Sequence, residues 1–473
     1  MIETAECATV VDATPTSMKW PEALLYSHLL SYSPSAPANR PIQCHPYAAT
    51  DLAYIIFTSG TTGQPKGVPI YHHGLMSLVQ QDQLYLCSGV GTRLLHTMGV
   101  GFDGNIYVAL LGLCHHSTLV FNTGDLVEVA KCVESTFLTP SMLNTLNPHT
   151  HHNLQSITTG GEALDKSLAN VWPDHCLLHN AYGPSEATVM SHSVRVDSGQ
   201  VVTIGKPIAN TTCYILDAHL NLVPLGVTGE IYIGGAGVSP GYLNRPDLNA
   251  TKFIANPFGD GTLYATGDLG RWLSNGEVEY QGRMDDQVKV RGYRIELAEV
   301  TSALLAQPGV TAVAVQVYDN QLVAFAAPNN IDTKTVLHAL ATQLPHYMVP
   351  SHFVAVSSIP QTVNGKLDAR ALKTYFAEYQ QQLRAKSLAS TVSLSPQWQA
   401  LQSAVSQVLG MDPATVNPGL SFIQQGGDSI SAIQLSSQLK QRNYRLFIPA
   451  ILERMPLHDL ADTMDECEVQ VAP

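Results

Sequence analysis

The sequence predicts three folding units: an α/β unit over residues 51–284, a smaller α+β unit over 285–376, and an all-α module over 394–466. Three observations carry this. Short β-rich runs such as "LAYIIFTSG" and "GEIYIGG" alternate with helix-like stretches and end in glycine turns, as in α/β folds. "AVAVQVYDNQLVAFA" alternates on both sides of Asp319-Asn320, the pattern of a hairpin. Beyond residue 394 the apolar residues switch to helical spacing.

In chain order, residues 1–50 carry scattered proline and serine with no clear period and stay unassigned. The large unit ends at "EVEYQGR", a strand, and "QVKVRGYRIEL" resumes after the polar break Met284-Asp285-Asp286. Residues 377–393, polar and rich in Gln and Ser, read as a linker. Ser395-Pro396 then fits a helix N-cap followed by proline at the first helical position. Trp398, Leu401, Val405, Val408 and Leu409 continue that helix at its apolar spacing.

Of the 473 residues 45% are apolar and 13% charged, a globular composition. A net charge of −13 argues against a nucleic-acid partner, which wants a basic face, but leaves a small anionic ligand open. The eight cysteines show no CxxC pair, which suits a reducing compartment and free thiols buried as small apolar groups. The start, "MIETAECATVV", lacks the basic segment and apolar core of a secretory signal. The run "IYVALLGLC" is too short to span a bilayer. A cytoplasmic protein with no membrane partner is expected. The pairs His72-His73, His115-His116 and His151-His152 suit strands, where neighbours face opposite ways, and not a metal site.

"TSGTTGQPKG" follows the apolar run "AYIIF". Glycines there let backbone N–H groups close on an anion, hydroxyls add donors, and Lys66 adds charge. A Walker loop would need Gly-Lys-Ser/Thr; here proline precedes the lysine.

This stretch resembles the phosphate loop of adenylate-forming enzymes, the superfamily of nonribosomal peptide synthetase adenylation domains and acyl-CoA synthetases. Further stretches match in order: "NAYGPSEAT", "GEIYIGGAGVSPGYLNRPDLNATKF", "YATGDLGRW", "GRMDDQVKVRGYRIEL" and "NGKLDARAL". The resemblance implies a large α/β adenylation domain, a small α+β subdomain, and then a four-helix carrier bundle. It implies ATP and Mg²⁺ as cofactors. The nucleotide would meet Thr58, Ser59, Gly60, Thr61, Thr62, Gly63, Lys66, Asn180, Ala181, Tyr182, Gly183, Asp268, Arg283 and Lys366. Within that set Tyr182 would stack on adenine, Asp268 accept the ribose hydroxyls, and Glu186 bind Mg²⁺. Lys366, with Lys66 and Glu186 the catalytic group, would bridge the substrate carboxylate and the α-phosphate, and Asp285 would be the hinge. Rotation there would move Lys366 away and present "VKVRGYR" instead.

The resemblance puts Asp103 of "GFDGN" where the peptide-synthetase branch pairs an aspartate with the substrate ammonium. The pocket carried over by motif is Asp103, Gly104, Tyr107, Phe137, Thr158, Gly160, Ala181, Val189 and Met190 with Lys366. With no charge beyond the two anchors, a charged side chain would be buried unpaired. A neutral, branched aliphatic amino acid is expected. Ser429 in "GGDSI" opens a helical run and resembles the 4′-phosphopantetheine site of a peptidyl carrier protein, at a helix N-terminus that favours a phosphate. The implied partners are a phosphopantetheinyl transferase and condensation or other synthetase modules in trans. An acyl-CoA-ligase-like enzyme and a non-catalytic carrier or scaffold are the alternatives. The match begins near residue 51, so the adenylation domain is expected to be shortened at its N-terminal side.

Overall fold

The structure is a computed structural model. It describes residues 11–12, 24–25 and 48–466, apart from 61–64, 81–85, 123–125, 173–174, 286, 291, 319, 363–366, 388–394, 428 and 454. Thr61, Thr62, Gly63, Asp286, Asp319 and Lys366 therefore lie outside the described residues.

The large unit begins with a hairpin of β1 (Leu52–Thr58) and β2 (Lys66–Tyr71), whose turn is the glycine-rich loop. Helix α1 (His72–Gln80) follows directly. A seven-stranded sheet comes next, built from β3 (Arg93–His96), β4 (Thr118–Phe121), β5 (Ser135–Leu138), β6 (Ser156–Gly160), β7 (Leu177–Tyr182), β8 (His192–Arg195) and β9 (Lys206–Pro207). Its order is β9-β8-β7-β6-β5-β3-β4, parallel from β7 to β4 and antiparallel at the β8–β9 edge. Parallel neighbours need crossovers, and α2 (Asp103–Cys114) and α3 (Leu126–Ala130) supply two of them. Leu95, Leu126, Leu138, Ile157 and Leu178 form one core cluster of this sheet and its helices.

A five-stranded antiparallel sheet closes the large unit. It orders β10 (Thr211–Leu216), β11 (Gly229–Gly235), β13 (Thr262–Trp272) and β12 (Phe253–Ala255), with β14 (Val278–Arg283) also on β13. Past Asp285 comes the hairpin β15 (Gln287–Val290) and β16 (Tyr293–Glu296), then α4 (Leu297–Leu305). The small unit's sheet is β17 (Ala312–Tyr318), β18 (Gln321–Ala327) and β19 (His352–Ala355). Tyr318 pairs with Gln321, so the expected β17–β18 hairpin is there, with Asn320 at a left-handed φ of 60°.

Helix α5 (Ala369–Ser387) departs from expectation, because the residues read as a linker from 377 are helical as far as Ser387. "AEYQQQLRAK" is polar but made of good helix formers, with neither Gly nor Pro to stop it. The terminal module has α6 (Pro396–Leu409), α7 (Ser429–Gln441), α8 (Ile448–Leu452) and α9 (Leu457–Asp462). Ser395 caps α6 by accepting from the Trp398 N–H at 3.1 Å, and Trp398, Leu401 and Val405 are buried in the module's core. Two further expectations fail. His72-His73 open a helix and His115-His116 follow one, so neither pair lies on a strand. Cys114 and Cys132 are exposed, while Cys176 is buried.

Candidate functional site

A cavity of about 210 Å³ opens at the carboxyl ends of the parallel strands. Thr139 after β5, Gly160 at the end of β6 and Gly183 after β7 stand on its wall. Of the expected substrate pocket, Asp103, Gly104, Tyr107, Phe137, Gly160, Ala181, Val189 and Met190 line this one cavity. Thr158 does not; it is fully buried within β6, behind the wall.

Asp103 is the first residue of α2, where unpaired N–H groups favour a carboxylate. The Gly104 N–H donates to its Oδ1 at 2.8 Å. Burial pushes this carboxyl above its ordinary value; hydrogen bonds from Ser185 and Gly104 oppose the rise, and the charge of Glu186 adds to it. An arriving cation would relieve that cost. Tyr107 and Phe137 meet edge to face at 5.8 Å, and a Cβ on Gly104 would come within 3.1 Å of the Phe137 ring.

On the nucleotide side, Thr58, Ser59, Asp268 and Arg283 share the same cavity. The Thr58 hydroxyl is buried with no partner among the described residues. Asp268 accepts from the Tyr182 hydroxyl at 2.5 Å and from Arg283 Nη1 at 2.7 Å. Arg283 also holds Asp285 through Nε at 2.6 Å and Nη2 at 2.8 Å, so the expected hinge residue is tied to the large unit's last strand. Two residues expected at the nucleotide stand off the cavity wall. Tyr182 packs with Ile204, Ile231 and Val278 and is absent from the cavity wall, while Lys289 Nζ lies over its ring at 5.6 Å. The Asn180 amide is turned inward and donates to the Thr203 carbonyl at 2.7 Å, bracing β7.

Glu186 is fully buried. Arg294 Nη1 lies 2.8 Å from its Oε2, and the Tyr242 hydroxyl donates to its Oε1 at 2.7 Å. Burial works against the charge, but Arg294 and Lys66 outweigh it and hold the carboxyl at about 2. An ionised carboxylate suits a hard divalent cation, so Glu186 fits the Mg²⁺ role once Arg294 gives way. Lys66 is buried, 3.5 Å from Glu296 Oε1 and 5.1 Å from the Tyr242 ring centre. Burial and the nearby Arg294 push its ammonium below its ordinary value.

The wall opposite the pocket comes from beyond the hinge: Lys289, Gly292, Tyr293 and Arg294 of the β15–β16 hairpin, with Tyr347. Sequence reading named "VKVRGYR" as a face to be presented but gave no role to Arg294, Lys289 or Tyr242. For Lys289 and Arg294 the signal is a basic run around Gly292 in an acidic chain, whereas no local pattern marks Tyr242. Ser429 is the first residue of α7, the helix N-terminus expected for a phosphate ester.

A family model described as AMP-binding enzyme matches residues 3–243, taking in most of the segment left unassigned above. Models described as AMP-binding enzyme C-terminal domain and phosphopantetheine attachment site match 299–366 and 399–463. The chain is 37% identical over 443 residues to nonribosomal peptide synthetase sirP of Leptosphaeria maculans, covering 93% of this chain and 20% of that protein. It is 37% identical over 426 residues to tyrocidine synthase 3 of Brevibacillus parabrevis, covering 85% of this chain and 6% of that one. The chain thus spans a fifth or less of the length of these curated relatives. The solved structure of holo-PA1221, an NRPS protein containing adenylation and PCP domains, superposes with a TM-score of 0.79 at 26% identity, covering 97% of this chain and 80% of that one.

Proposed function

The chain belongs to the AMP-binding enzyme family, and from that premise we propose that it activates a neutral, branched aliphatic amino acid with ATP and loads it as a thioester on its own carrier module. The observation that carries this reading is the single cavity joining Asp103 and its apolar neighbours to Asp268 and Arg283. The α-ammonium of the substrate pairs with Asp103, which directs the carboxylate toward the nucleotide side. Tyr107, Phe137, Val189 and Met190 give the side chain an apolar surround with no countercharge. Asp268 accepts the ribose hydroxyls, with Arg283 holding it in place. Ser59, Gly60 and Lys66 take the phosphates. Lys366, outside the described residues, neutralises the charge between the two reacting anions. Glu186 would hold a Mg²⁺, which would supply further charge neutralisation for the phosphates.

Ser429 would hold a phosphopantetheine, which would supply the thiol for the thioester, and its attachment calls for a phosphopantetheinyl transferase. A downstream synthetase module then takes the loaded residue. The test is the intact mass of the pantetheinylated chain given ATP, Mg²⁺ and mixed amino acids. A covalent gain matching valine, leucine or isoleucine is expected. It should vanish in Ser429→Ala and fall about 10²–10³-fold in rate in Lys366→Ala, the cost of one preorganised donor. A gain matching a charged residue would sink the specificity reading. Activation of a fatty or aryl acid instead would sink the amino-acid reading.

A further inference from the structure

A second cavity, of about 260 Å³, lies between the small unit and the carrier module. Tyr318, His352 and Phe376 line it on one side, Met411, Leu420 and Gly426 on the other. Tyr318 stacks on Phe376 at 5.2 Å, and His352 meets Phe376 edge-on at 5.2 Å, so the aromatic side is braced. His352 Nε2 stands 3.1 Å from Gln321 Oε1. A Cβ on Gly426 would come within 3.3 Å of Gln321 Nε2, so the two units approach closely there. The Tyr318 hydroxyl is buried with no partner among the described residues, and burial pushes it above its ordinary value, which keeps it a donor. Among the described residues no carboxylate, lysine or arginine lines this cavity.

We propose that this cavity is a resting site for the pantetheine arm of the chain's own carrier module, separate from the cavity that holds Asp103. Chemistry and reach both point to this occupant. Beyond its phosphate the arm is uncharged and holds two amides. An amide carbonyl can accept from the Tyr318 hydroxyl while the chain beside it packs on aromatic and aliphatic walls. A charged ligand would find no countercharge there. Gly426 stands three residues before Ser429, hence at most about 11 Å from it between Cα atoms. The arm is as long as four or five extended residues, roughly 15 Å. Its tether supplies an effective concentration in the millimolar range, so a site of only about 0.1 mM affinity would be filled roughly ten parts to one. An arm at rest keeps its thiol from passing electrophiles and must leave before it is loaded.

The proposal rests on the carrier reading of Ser429, and the experiment separates the two. The full chain is compared before and after a phosphopantetheinyl transferase has attached the arm. Hydrogen exchange of peptides covering 316–325 and 374–383 should slow about threefold or more on attachment. Alkylation of the arm's thiol by iodoacetamide is read on the pantetheine fragment released in tandem mass spectrometry, where the eight cysteines do not interfere. It should run about tenfold faster in Gln380→Trp, which crowds the cavity from α5, than in the unaltered chain. Unchanged exchange in both peptides, protection confined to peptides of the Asp103 cavity, or equal alkylation rates overturns the resting site. Exchange is read on the unaltered chain, so that readout stands if the variant folds poorly. No mass gain from the transferase overturns the carrier reading itself, and the resting site with it.

Discussion

At Glu186 a carboxylate without exposed surface is held by Arg294 and Tyr242, and its folded value near 2 lies below its ordinary 4.5. A depressed value means stabilisation that is complete above pH 4.5 and lost as the pH falls through about 2. By that shift the residue contributes about 3 kcal/mol above the window. Acid titration of folding between pH 4.5 and 2 should be shallower in Glu186→Gln, read by fluorescence or circular dichroism. Arg294→Ala strands the buried charge and should cost roughly 3–5 kcal/mol of stability, measurable by denaturant unfolding. In the substrate pocket, Asp103→Asn keeps the shape and removes the countercharge. The amino-acid KM in pyrophosphate exchange should rise roughly 10-fold or more while the KM for ATP moves little.

Among elements, the β15–β16 hairpin depends on one glycine. Gly292 has a φ of +81°, and a Cβ there would come within 2.7 Å of Thr139 Cγ2 across the cavity. Gly292→Ala therefore brings strain and a clash together, and carrier loading should slow about 10–100-fold by single-turnover mass analysis. Much at this scale was legible in the sequence. The β17–β18 hairpin and the α6 cap are local rules, written in Asn320 and in Ser395-Pro396. Eight of the residues carried by motif line one cavity, three of them on α2 and the others on or near β5, β6 and β7. What escaped was non-local. The Arg294–Glu186 pair joins residues 108 apart in sequence, and no pattern along the chain announces it. The inward turn of Asn180 depends on a carbonyl at residue 203. Helix α5 was hidden because solvated helices and polar linkers share a composition.

Over the whole molecule, the carrier module touches both other units. Ile433 of α7 packs against the large unit's cluster around Leu126 and Ala130, and the Asn417 amide donates to the Leu383 carbonyl of α5 at 3.3 Å. The helix that begins at Ser429 is thus itself a contact surface. Ile433→Asp should leave pantetheine attachment intact yet slow loading by roughly 3-fold or more, since it removes part of the apolar burial at this contact. A time course of intact mass decides this; an unchanged loading rate would mean the contact plays no part. The buried cluster of Lys66, Arg294, Glu186 and Glu296 has one more consequence at this scale. Exposed pairs such as Arg195 with Asp197 weaken as ionic strength rises, since the screening length at physiological salt is about 8 Å of water. The pairs of the cluster are more sheltered than these, so sodium chloride should weaken them less.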